Sequence, residues 1–99
     1  MRLTPPELAT IQHAVQDLAT PGSNVRLFGS RLDDAAKGGD VDLLLELPQP
    51  VPNPALLAAR VAGRISRAMH GRKVDVLITA PNLQRLPIHE VALREGILL

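Results

Sequence analysis

The chain has 99 residues, 45% of them hydrophobic and 21% charged, which predicts one globular domain over residues 1–99 rather than a disordered segment. Its net charge of +1 and its single aromatic residue, Phe28, argue against strong nucleic-acid binding, because such surfaces are basic and stack bases on aromatic rings. The absence of cysteine excludes disulfides and thiolate metal sites, and no apolar run resembles a membrane span or a signal peptide, so we expect a cytoplasmic protein without a membrane partner.

The first half of the chain predicts one helix followed by two strands. Thr4, Pro5 and Glu7 have the spacing of a helix capping box, and apolar residues then recur at helical spacing. Residues 25–28 predict a short strand. Residues 40–47, "DVDLLLEL", predict a second strand, whose near-continuous leucine run is typical of a central strand buried on both faces. The link between the two strands allows either an antiparallel pair or a crossover.

The second half predicts a helix, a strand and a final helix. A proline-rich linker over residues 48–54 leads into the first of these helices, and residues 73–79 predict the third strand. The last helix is expected from Pro87 onward with Ile88 facing inward, and residues 97–99 either add a strand or dock on a partner. This order of elements predicts an α/β or α+β fold in which helices pack on a small mixed sheet.

Two carboxylates at the start of the second strand need an explanation. Asp40 and Asp42 are two residues apart, so in extended backbone they project from the same face and repel each other. A divalent cation with a preference for oxygen ligands, such as Mg²⁺, makes this arrangement favourable. Asp75 is the candidate third carboxylate, and its β-branched neighbours predict that it is buried, where an unpaired charge is costly.

Three carboxylates on two strands can hold the two ions that stabilise an in-line phosphoryl displacement, and the third can also take the proton of an attacking hydroxyl. Gly29 lets the backbone approach a phosphate closely, and Ser30 can donate hydrogen bonds to its oxygens. Arg31 can balance the charge of a triphosphate.

Each of these residues also has a purely structural interpretation. Asp40 alone suits a turn before a strand, the Gly-Ser pair alone is an ordinary turn, and Asp75 alone can be a buried carboxylate paired with Arg26 or Arg72. Their combination in one strand context favours the catalytic interpretation.

The remaining titratable groups favour structural or solvated roles. The three histidines lack the spacing of a zinc motif, and an arginine group can be either a solvated helix face or, less favoured, a docking surface for an acidic partner. These residues are His13, His70 and His89, and Arg64, Arg67 and Arg72.

The chain resembles the minimal nucleotidyltransferases of the DNA polymerase beta superfamily. The similarity lies in a Gly-Ser pair after a strand, an Asp-x-Asp triplet nine residues later, a third acidic residue on a following strand, and the closing "HEVALREGILL". The resemblance implies a mixed-sheet nucleotidyltransferase fold, two Mg²⁺ ions, and transfer of a nucleoside monophosphate from an NTP. By position it implies that Gly29 and Ser30 hold the triphosphate and that Asp40, Asp42 and Asp75 hold the metals.

Short members of this family are often paired with an all-helical toxin of the HEPN type. The resemblance therefore implies an antitoxin that transfers AMP from ATP to a hydroxyl of the toxin. The length of the chain points the same way, because 99 residues leave no room for a domain that holds the acceptor. A binding module that neutralises its partner by occlusion is the alternative, and a homo-oligomer stays open.

Overall fold

The computed structural model describes residues 3–29 and 40–99, and these contain three helices and four strands. Their order confirms the predicted succession, and the final apolar residues add a strand. None of the helices in these two stretches is long and apolar enough to cross a membrane. The elements are α1 (Pro5–Leu18), β1 (Asn24–Phe28), β2 (Val41–Glu46), α2 (Pro54–Ala68), β3 (Val74–Thr79), α3 (Pro87–Glu95) and β4 (Ile97–Leu98).

The four strands form one mixed sheet in the order β3-β2-β1-β4. β1 pairs antiparallel with both β2 and β4, which settles the direction that the sequence left open. β2 and β3 pair in parallel, with α2 as the connection between them. The result is an α+β arrangement with β2 as an interior strand, as its leucine run predicts.

The two faces of the sheet are buried by different helices. On the first face, α1 and α2 cover a core that includes Leu27, Leu43 and Leu45. On the second face, α3 packs against β1 and β2, where Leu44 and Ala92 are both fully buried outside that core cluster. Three consecutive buried leucines in β2 therefore reflect a strand covered on both sides.

The helix starts follow local capping chemistry. The capping box of α1 is confirmed, since Thr4 Oγ1 accepts from the amide of Glu7 and Glu7 Oε1 accepts from the amide of Thr4. In α3 the cap comes from His89, whose Nδ1 accepts from the Leu86 amide at 2.9 Å. The inward placement of Ile88 is wrong. α3 buries His89 and Ala92, so Ile88 faces solvent and is 46% exposed.

Leu44 gives a direct test of this packing. Its substitution by alanine is expected to lower the free energy of unfolding by about 2–5 kcal/mol, because a fully buried leucine leaves a cavity when truncated. The matched control is Leu56→Ala, which truncates a leucine that is 45% exposed and should change stability by no more than about 0.5 kcal/mol. Urea denaturation of both variants measures the difference, and equal losses would contradict burial of the second face.

Candidate active site

Two of the predicted carboxylates lie side by side on the second face of the sheet. The strand register places Asp42 of β2 opposite Asp75 of β3 on one side and opposite Phe28 of β1 on the other. Residues paired across adjacent strands project from the same face, and the strands are about 4.8 Å apart. The structure therefore brings Asp42 and Asp75 together, as the sequence predicts.

The third carboxylate lies in the next row of the same face, beside a lysine. The Val41 amide donates to the Lys73 carbonyl at 3.0 Å. This bond extends the parallel pairing to the residues just before the two strands, Asp40 and Lys73. Lys73 Nζ is 4.0 Å from Asp40 Oδ2, and both side chains are at least half exposed. Asp40 thus flanks the Asp42–Asp75 pair at the edge of the site and forms an ion pair there.

The surroundings of Asp42 shift the pKa of its carboxyl group. Partial burial raises the pKa of the Asp42 carboxyl above its ordinary value, and the negative charges of Asp75 and then Asp40 raise it further. Lys73 acts in the opposite direction and lowers this pKa. Ionised Asp42 is therefore held in an environment that favours an additional positive charge.

The predicted burial of Asp75 is wrong, because its side chain is exposed. β3 is an edge strand, and the part of it that holds Asp75 is less covered than its last two residues, so the β-branched neighbours do not enclose the carboxylate. The alternative ion pairs of Asp75 are not found either. Arg26 contacts Glu46 at 2.6 Å, and Arg72 lies 3.7 Å from Glu7.

Gly29 follows β1 directly and lies against the Asp42 carboxylate. Its φ is +78°, a region that side chains other than glycine rarely adopt, and a Cβ there would overlap Asp42 Oδ2 and lie 3.1 Å from its Cγ. Another residue at this position would therefore strain the backbone and crowd the Asp42 carboxylate. The other two predicted nucleotide-binding residues, Ser30 and Arg31, lie outside the described residues.

The donor set suits a divalent cation without forming a closed cage. Across residues 3–29 and 40–99, no three His, Cys, Asp or Glu side chains converge as a ready metal-binding group. Carboxylate oxygens are nevertheless the ligands that Mg²⁺ prefers, and the mutual repulsion of Asp42, Asp75 and Asp40 is what a bound cation relieves. Their oxygen donors therefore suit the chemistry of such an ion, while the three side chains do not converge on one point in this arrangement.

A family model described as the nucleotidyltransferase domain matches residues 8–99. The chain belongs to the nucleotidyltransferase domain family. This confirms the resemblance to minimal nucleotidyltransferases, and the three helices on a four-stranded mixed sheet are consistent with the nucleotidyltransferase fold. Proteins of this family carry out nucleotidyl transfer and generally use an NTP and a divalent metal ion. No curated protein matches the chain.

Lys73 of this nucleotidyltransferase lies beside the carboxylates and is not among the residues predicted from the sequence. The available signal was its position two residues before Asp75, because alternation along a strand places both side chains on one face.

The histidines have the structural or solvated roles expected of them. His13 and His70 are exposed, and buried His89 uses its Nδ1 to cap α3.

The contact between Gly29 and Asp42 predicts an unusually costly glycine substitution. Gly29→Ala introduces both a strained left-handed backbone and an overlap with the carboxylate. The control is Gly71→Ala, since Gly71 has φ +81° with open space around its Cβ position and should lose only about 1–3 kcal/mol from backbone strain. Gly29→Ala should lose at least about 1 kcal/mol more in chemical denaturation. Equal losses would show that the carboxylate does not pack against Gly29.

The negative charges near Asp42 predict that replacing its carboxyl group by a neutral one stabilises the metal-free protein. At pH 7 Asp42→Asn should raise the thermal midpoint, because the native fold disfavours the ionised carboxyl. Because the pKa of Asp42 is raised in the native state, the ionised carboxyl lowers the stability of wild type at every pH above that pKa. The advantage of the variant should therefore shrink as the pH falls through the native pKa toward the ordinary value of 3.8, where wild-type Asp42 is protonated.

Asp17→Asn is the control for this comparison. It removes a carboxylate whose Oδ2 lies 2.6 Å from Arg64 Nη2, so it should leave the midpoint unchanged or lower it. A lower midpoint for Asp42→Asn at pH 7 in the absence of divalent metal would contradict the charge crowding.

Proposed function

We propose that this nucleotidyltransferase is a cytoplasmic antitoxin that transfers AMP from ATP to a hydroxyl group of an all-helical HEPN-type toxin, with Asp40, Asp42 and Asp75 binding two Mg²⁺ ions. One observation carries the catalytic part of the proposal. The parallel register of β2 and β3 sets Asp42 beside Asp75, and Asp40 flanks them on the same face. The identity of the nucleotide and of the partner rests on the resemblance to minimal nucleotidyltransferases.

Each residue of the site has a distinct task in this proposal. Asp42 is the central ligand, because both other carboxylates interact with it. Gly29 has no side chain where the end of β1 meets Asp42, which lets the Asp42 carboxylate lie against the backbone at that corner. Ser30 and Arg31 are proposed to donate to the triphosphate, from the motif alone.

The reaction is a substitution at the α-phosphorus of ATP. The acceptor hydroxyl oxygen forms a bond to that phosphorus, the bond to the bridging oxygen of pyrophosphate breaks, and pyrophosphate leaves with the electron pair. Asp75 is exposed, so an incoming hydroxyl can reach it and transfer its proton to the carboxylate. When bound, Mg²⁺ supplies neutralisation of the phosphate charge.

A second candidate function is neutralisation of a partner by occlusion, without chemistry. Four large apolar side chains near α3 and β4 are each 42–55% exposed, and apolar groups concentrated in one segment are typical of protein contact surfaces. They are Leu86, Ile88, Ile97 and Leu98. This candidate predicts a complex that forms equally well when the carboxylates are replaced.

Transfer of label from ATP to the toxin separates the two functions. Wild-type protein, a purified HEPN-type toxin and Mg²⁺ are incubated with ATP labelled on the α-phosphate, and in parallel with ATP labelled on the γ-phosphate. The proposal predicts that the toxin acquires the α label but not the γ label. Asp42→Asn should reduce labelling of the toxin at least about 100-fold, whereas the control Asp17→Asn should label the toxin as well as wild type does.

Two outcomes would contradict the proposal. Labelling that persists in Asp42→Asn would show that the carboxylate site is not responsible. Neutralisation of the toxin by Asp42→Asn, in the absence of any labelling, would establish occlusion as the mechanism.

A further inference from the structure

The second face of the sheet carries a lysine, Lys73, beside the three carboxylates. Lys73 and Asp75 are two residues apart on β3, and Asp40 and Asp42 are two residues apart on β2, so the four side chains form two rows on one face. One row pairs opposite charges, Asp40 and Lys73, and the next pairs like charges, Asp42 and Asp75. The cluster has three negative charges and one positive charge.

The Asp40–Lys73 ion pair has the geometry of a weak contact. Its atoms are 4.0 Å apart, the Lys73 side chain is 68% exposed and that of Asp40 is 50% exposed. An exposed pair of this kind contributes little to stability. By contrast, the Arg26–Glu46 pair of the same sheet is 2.6 Å long, and both of its side chains are about three-quarters buried. The lysine contact can therefore be broken at low cost while the rest of the sheet is unchanged.

Lys73 interacts with the same carboxylates that would bind a metal ion. Asp40 is the carboxylate that contacts the lysine, and Lys73 acts electrostatically on Asp42 as well. A flexible ammonium group and a divalent cation therefore compete for the same two carboxylates, because each is stabilised by the same negative potential.

We propose that Lys73 is the exchangeable counter-cation of the carboxylate cluster and leaves Asp40 when a divalent ion binds. This inference rests on the proposed metal-binding role of the three carboxylates. Lys73 stabilises the metal-free protein by offsetting the repulsion between Asp42 and its neighbours, and for the same reason it weakens the binding of the metal. Loss of its charge should thus have opposite effects on stability and on metal affinity.

The test is the affinity for Mn²⁺, used in place of Mg²⁺, without nucleotide and at low ionic strength. Electron paramagnetic resonance of free Mn²⁺ gives Kd directly. Lys73→Met, which keeps an unbranched side chain, should bind Mn²⁺ about two- to fivefold more tightly than wild type. Lys73→Arg should restore a Kd close to the wild-type value. Arg60→Met is the control, because it removes an exposed positive charge on α2 and should leave Kd unchanged.

Thermal unfolding of the same proteins provides the second measurement. Metal-free Lys73→Met should unfold at a lower temperature than wild type, and saturating Mn²⁺ should raise its midpoint by more than it raises that of wild type. An unchanged or weaker affinity of Lys73→Met would overturn this inference alone. A wild-type protein that binds no Mn²⁺ through Asp42, as shown by equal titrations of wild type and Asp42→Asn, would overturn the proposed function together with it.

Discussion

The parallel pairing of β2 with β3 is the interaction on which the site depends. Its register sets Asp42 opposite Asp75 on the face that α3 covers only in part. A slip of one residue would place a valine opposite Asp42 and turn Asp75 toward the core face. Leu43 and Leu45 of β2 and Ile78 of β3 oppose this, because they are buried in the core of the first face and fix which face of each strand points inward. The apolar side of the sheet thereby determines the positions of the charges on the other side.

The antiparallel pairing of β1 adds the second half of the site. It brings the end of β1 to the start of β2, so that Gly29 lies against the Asp42 carboxylate. Burial and the charges of Asp75 and Asp40 raise the pKa of Asp42, so its ionised carboxyl lowers the stability of the metal-free chain. A site that concentrates negative charge costs folding free energy, and the buried core of the first face offsets that cost. The proposed binding and catalytic roles of the carboxylates account for this compromise.

The sequence predicts the elements well where local chemistry decides them. The capping box at Thr4, the leucine run of β2 and the strand that contains Asp75 all appear in the structure. The motif selects Asp40, Asp42 and Asp75, and the structure places them on one face of the sheet, while their catalytic role stays a prediction. The assignments of Ser30 and Arg31 stay predictions.

The rest depends on tertiary arrangement, which local patterns do not contain. The burial of Asp75 could not be judged from its neighbours, since exposure follows from the edge position of β3. The orientation of Ile88 depends on how much of the sheet α3 covers. The ion pair between Lys73 and Asp40 depends on the parallel register, which sets the two residues opposite each other. These three features require knowledge of which strand lies next to which.

The most direct test of the account is paramagnetic NMR with Mn²⁺ on the ¹⁵N-labelled protein. Substoichiometric Mn²⁺ broadens amide signals close to its binding site. If the carboxylates share a cation, the amides around Asp42 and Asp75 should broaden together in wild type and remain sharp in Asp75→Asn. Broadening of the amides around Asp42 that persists unchanged in Asp75→Asn, or broadening confined to another part of the chain, would contradict a cation held jointly by the two strands.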